Sequence, residues 1–127
     1  MPKTEKKVML IVEDDEVLLR ALYLLFHKGE YTTASATDGD TALKMTQRLK
    51  PNVVLLDLLL PKMNGFDYLK YMKADANIKD TPVIVLSNLG DKESIDKAKV
   101  LGAIDYFIKS DTDLTTLDEK VKKIIKG

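Results

Sequence analysis

The stretch Val8-Met9-Leu10-Ile11-Val12-Glu13-Asp14-Asp15-Glu16 sets five consecutive apolar residues directly against four consecutive acids. An unbroken apolar run, rather than an alternating one, predicts a strand buried on both faces, as in a parallel sheet covered by helices on each side. Two further runs have the same character: residues 53–56, which end at Asp57, and residues 83–86, which end at Ser87. Residues 31–36 form a more polar strand, expected at a sheet edge, and residues 104–108 a fifth strand that ends at Lys109. Helical patterns fill the gaps. They cover residues 15–28 with Gly29 as a stop signal, 38–49 ended by Pro51, 66–73 opened by an Asn64-Gly65 turn, 91–101 closed by Gly102, and 113–126 with a basic last turn. Strand and helix alternate five times, which predicts an α/β fold: one doubly wound (βα)5 domain around a five-stranded parallel sheet.

A chain of 127 residues has room for one domain. Residues 1–127 are expected to form it, with the polar residues 1–6 as a flexible N-terminus. Apolar residues at 45% suffice to fill a core and argue against disorder. The 20 Lys and Arg residues balance the 20 Asp and Glu residues, so strong nonspecific attraction to nucleic acid or an anionic membrane is excluded. The absence of cysteine removes disulfides, thiol catalysis and thiolate metal sites, and a single histidine removes a His-rich metal centre. That histidine, His27, suits the end of a helix and is not read as a phosphohistidine. No apolar run approaches the roughly 18 residues of a membrane span. The N-terminus lacks the long apolar core of a signal peptide, so a cytoplasmic protein is expected.

Sheets of this kind bind ligands at the carboxyl ends of their strands. There the chain offers Glu13 to Glu16, Asp57, Ser87 and Lys109. The acidic run taken alone reads more readily as a solvated helix start. Together the four positions put carboxylates, a hydroxyl and an amine on one edge, which is a phosphoryl-transfer constellation. Carboxylates hold a hard cation such as Mg²⁺, one of them can act as nucleophile, and the amine and hydroxyl can bind phosphoryl oxygens. Clustered carboxylates also repel one another and resist full ionisation without a cation. A flavin or nucleotide binder on the same architecture needs a glycine-rich loop after the first strand, where this chain has acids.

These pieces, with Asp38-Gly39 and Ala42-Leu43, Pro61 and Gly65, and Gly102-Ala103 with Tyr106, resemble the response-regulator receiver domain of two-component signalling, of the stand-alone, chemotaxis-regulator-like kind. The resemblance covers nearly the whole chain and implies a flavodoxin-like sheet of order 2-1-3-4-5. It implies Asp57 as phosphoacceptor, with Ser87 and Lys109 contacting the phosphoryl group. It places Asp14, Asp57 and the Leu59 carbonyl around Mg²⁺ (or Mn²⁺), with Glu13 acting through water. Ser87 and Tyr106 would form the switch, acting on the surface of the fourth helix, fifth strand and fifth helix. The implied partners are a histidine kinase or histidine phosphotransfer protein and a downstream protein target. No nucleic acid or membrane is implied, and the protein would be a monomer or a weak phosphorylation-dependent dimer. A pseudo-receiver, binding proteins without phosphorylation, is the alternative. Two positions depart from the family pattern: Asn88 stands where a small residue is usual, and Ser110 where proline follows the lysine. A cis bond before a non-proline residue costs about 2.5–4 kcal/mol, so the Lys109–Ser110 peptide is expected trans. Eight apolar residues of the first helix, from Val17 to Phe26, span a wider arc than a core-facing stripe needs. One edge of that arc, Val17 with Leu24 or Leu19 with Phe26, is therefore expected to be exposed as a docking surface.

Overall fold

The computed structural model describes residues 7–27, 29 and 31–126; the N-terminal segment 1–6 lies outside the described residues. The chain runs β1 (Lys7–Val12), α1 (Glu16–His27), β2 (Tyr31–Ala36), α2 (Gly39–Leu49), β3 (Val53–Leu56), α3 (Gly65–Lys73), β4 (Val83–Ser87), α4 (Lys92–Val100), β5 (Asp105–Ile108) and α5 (Leu114–Lys126). A short 3₁₀ turn, Lys109–Asp111, links β5 to α5. The five strands are parallel and lie in the order β2-β1-β3-β4-β5.

The apolar runs become strands because both sheet faces are covered. Leu10, Val12, Val54, Leu56 and Val85 point into one core with Ala42, Tyr68, Leu69, Met72 and Ala98 from α2, α3 and α4. Met9, Ile11, Val53, Leu55, Ile84 and Leu86 point into the other, with Leu22 and Phe26 of α1 and Leu117 and Val121 of α5. The more polar β2 sits at one edge, as its composition predicts, and half-buried β5 sits at the other. Among the described residues no helix is long and apolar enough to cross a membrane.

Helix starts differ from the sequence reading for one reason. Asp15, Asp38, Asn64, Asp91 and Asp113 each precede a helix and accept a backbone amide from its first turn, at 2.7–3.1 Å. Short acceptor side chains are worth more as caps than inside a first turn, where the amides already point outward. Residues 15, 38, 91 and 113 therefore stand just outside the helices. Gly65, expected before α3, is its first residue. The fifth strand starts at Asp105, and Ile104 is exposed with its amide bonded to the Val83 carbonyl.

Candidate functional site

Strand register builds the site. Val12 pairs with Leu56, and the Asp57 amide donates to the Val12 carbonyl at 3.0 Å. Glu13 and Asp57, each one residue past its strand, are thereby level on adjacent strands. Leu56 pairs with Val85, and Ser87 pairs with Ile108, so Lys109 leaves the sheet immediately after the Ser87 level.

The carboxylates of Glu13, Asp14 and Asp57 each offer an oxygen, and these oxygens lie within 4.8 Å of one another. Glu13 and Asp57 are buried, at 2% and 4% exposure, while Asp14 faces solvent. The Lys109 ammonium lies 2.9 Å from both Glu13 Oε1 and Asp57 Oδ2. Three carboxylates against one ammonium leave two negative charges, all on oxygen donors. That suits a hard divalent cation such as Mg²⁺ better than any softer metal.

The electrostatics agree. Burial pushes the Glu13 carboxyl up from its ordinary value and the Asp57 charge adds to this, outweighing the hydrogen bonds from Lys109 and the Asp15 amide. Burial also works against the Lys109 charge, but its bonds to Glu13 and then Asp57 prevail and hold the amine above its ordinary value.

Asp57 is held by the chain that follows it. The Leu59 amide donates to Asp57 Oδ1 at 3.2 Å, and the Gly65 amide donates to the Leu58 carbonyl at 2.9 Å. A Cβ on Gly65 would come within 2.6 Å of Leu58 Cα and 2.7 Å of the Asp57 carbonyl oxygen, so only glycine permits this closure. Ser87, fully buried, accepts the Leu89 amide at 3.3 Å. The Tyr106 phenol donates to the carbonyl of Leu89, the residue whose amide bonds Ser87. Burial, then the negative charges of Asp91 and Asp57, raise this phenol above its ordinary range, so it is a firm donor. The described peptides include no cis bond, so Lys109–Ser110 is trans. The sequence reading missed the Leu89 carbonyl as partner of Tyr106, since a backbone acceptor leaves no mark in residue type.

The sequence pattern of the response regulator receiver domain matches residues 9–122. The chain is a receiver domain. It is 36% identical over 118 residues to sporulation initiation phosphotransferase F of Bacillus subtilis, covering 92% of each chain. It spans 45% of the length of DNA-binding response regulators such as MtrA of Mycolicibacterium smegmatis, at 34% identity over 84% of this chain. The Francisella response regulator 1452 receiver domain superposes with a TM-score of 0.87 at 26% identity, over 95% of this receiver and 98% of that chain. The Mn²⁺-bound form of response regulator Rcp1 superposes with a TM-score of 0.77, also at 26% identity, over 94% of this receiver and 90% of that chain.

Proposed function

We propose that this receiver is a cytoplasmic phosphorylation switch. Asp57 takes a phosphoryl group from the phosphohistidine of a histidine kinase or phosphotransfer protein, and the α4–β5–α5 surface then signals to a downstream protein. The observation that carries this reading is the Lys109 ammonium at 2.9 Å from an Asp57 carboxylate that lies within the three-acid cluster. A pseudo-receiver has no need of that arrangement.

An Asp57 oxygen would form the new P–O bond as the donor's P–N bond breaks, its electron pair staying on the imidazole nitrogen. Lys109 and Ser87 would bind the phosphoryl oxygens, where negative charge is greatest. Asp14, Asp57 and the Leu59 carbonyl would hold Mg²⁺ (or Mn²⁺), with Glu13 acting through water. The bound ion would neutralise charge between the acceptor and the incoming group. Ser87, drawn toward the phosphoryl group, would carry the change to Tyr106 through the contacts they share.

Incubation with acetyl phosphate and Mg²⁺ followed by intact mass measurement tests the proposal. Wild type should gain one phosphoryl group, EDTA should prevent the gain, and Asp57→Asn should abolish it. Undiminished labelling of Asp57→Asn would sink the assignment.

A further inference from the structure

We infer that Gly39, at the start of α2, is a positioning residue for the metal-binding backbone at Leu59, acting through the turn Pro61–Lys62–Met63. This rests on the metal reading of the acidic cluster given above. The turn is tight: the Met63 amide donates to the Pro61 carbonyl at 2.8 Å, which closes three residues into a loop with Lys62 at φ 67°. Lysine at positive φ is strained, and such strain persists only where the surroundings impose it.

Here the surroundings are the first residues of α2. The Gly39 amide reaches the same Pro61 carbonyl at 3.5 Å. Its bare Cα faces the Met63 peptide so closely that a Cβ would lie 1.9 Å from the carbonyl oxygen and 2.7 Å from the carbonyl carbon. The Asp38 carboxylate, anchored by the Thr41 amide at 2.7 Å, also feels the charge of Lys62. Gly39 carries no positive φ, so the backbone of α2 would accept alanine, a far better helix former. Glycine is required at this position by the neighbour, not by the helix.

The turn begins two residues after Leu59. It also returns the chain to Gly65, whose amide bonds the Leu58 carbonyl. Displacing Met63 by the ångström or more that a methyl group demands would therefore shift the segment on both sides of Leu59. The strand ends that carry Glu13 and Asp57 would stay in place, while the Leu59 carbonyl would move together with the amide that holds Asp57 Oδ1.

The test is Mn²⁺ titration followed by the EPR signal of the free ion, on wild type, Gly39→Ala, Asp57→Asn and Tyr68→Phe. The last variant loses a buried α2–α3 hydrogen bond that is not part of the turn and serves as a control for general destabilisation. Gly39→Ala should weaken Mn²⁺ binding by about tenfold, the lower end of what lost outer-sphere support costs a metal site. Tyr68→Phe should bind as wild type does, and excess Mg²⁺ should restore acetyl phosphate labelling to Gly39→Ala. Wild-type affinity in Gly39→Ala, with binding lost in Asp57→Asn, overturns the inference and leaves the metal reading intact. No Mn²⁺ binding by wild type overturns both. Should Gly39→Ala not fold, amide NMR of wild type decides: on Mg²⁺ addition the Gly39 and Met63 signals should move together with Leu59. Movement of Leu59 alone overturns the inference.

Discussion

Lys109 bonds two carboxylates at once, and Leu59 and Leu89 give their backbone amides to the site while their side chains bring no polar group to it. Leu59 is 53% exposed beside Asp57, and Leu89 packs partly against the core. Neither side chain can orient a water for attack on an aspartyl phosphate, so the phosphorylated form should be long-lived. Leu59→Asn combined with Leu89→Glu should hasten loss of phosphate about tenfold, somewhat below what a positioned acid or base contributes. The measurement is decay of phosphorylated protein after the donor is removed, with Mg²⁺ in excess. Equal decay in variant and wild type would point to Asn88 or the loop after Lys109 as the control on water. At this scale the sequence disclosed the acids, the hydroxyl and the amine, because each directly follows or ends an apolar run. That one ammonium would bond both Glu13 and Asp57 was not legible, since it depends on side-chain reach across β4.

The helices are fixed in part by polar contacts that residue spacing conceals. Thr46 of α2 and Tyr68 of α3 are both fully buried, their oxygens 2.7 Å apart. Thr46 gives its hydroxyl proton to the Ala42 carbonyl at 2.8 Å, so the Tyr68 phenol is the donor between them. Thr46 reads in sequence as an indifferent helix residue, and its partner, 22 positions away, cannot be guessed from periodicity. The caps were more legible, because Asp and Asn ahead of apolar periodicity announce a helix start, though not to the residue. Burial pushes the Tyr68 phenol up to about 12. The ordinary phenol titrates near 10 in the unfolded chain. The folded value is the higher one, so the stability contributed by the neutral phenol is complete below pH 10 and is lost as pH climbs toward 12. Tyr68→Phe should cost about 1 kcal/mol at pH 7, the usual net worth of one hydrogen bond. That deficit should shrink or reverse above pH 10, in urea unfolding measured across the alkaline range. A constant deficit over that range would contradict the assignment.

Over the whole molecule, the strand order and both cores follow from continuous apolar runs in β1, β3 and β4, which only a sheet covered on two faces can use. Which strands would be neighbours was not in the periodicity and came from the family resemblance. The surplus of apolar residues on α1 was legible by counting, and the structure resolves which side it falls on. Val17 is 81% and Leu24 52% exposed, whereas Phe26 is buried. α1 starts two residues after Asp14, so Val17 lies near the acidic cluster, and under the proposed function this edge would offer an apolar surface to the phosphohistidine donor. Val17→Glu with Leu24→Glu should lower phosphotransfer from a protein donor by about tenfold in kcat/KM, equivalent to about 1.4 kcal/mol. Labelling by acetyl phosphate, which needs no docking surface, should be unchanged. Equal loss with both donors would show a damaged site instead of a lost contact.

Lys109 directly follows the last strand of the sheet, yet its partners lie at the ends of the first and third strands, with β4 between. Synthesis proceeds from the N-terminus, and folding can begin while the chain is still on the ribosome. The three carboxylates are therefore made well before the one cation that separates their charges. A nascent chain ending near α4 holds mutually repelling acids with no internal counter-charge, and the pocket is electrically complete only when β5 adds to the open edge of β4. Under the proposed function, competence to receive phosphate would thus come late in the making of each molecule, and a chain truncated before residue 109 would lack the pocket's counter-charge.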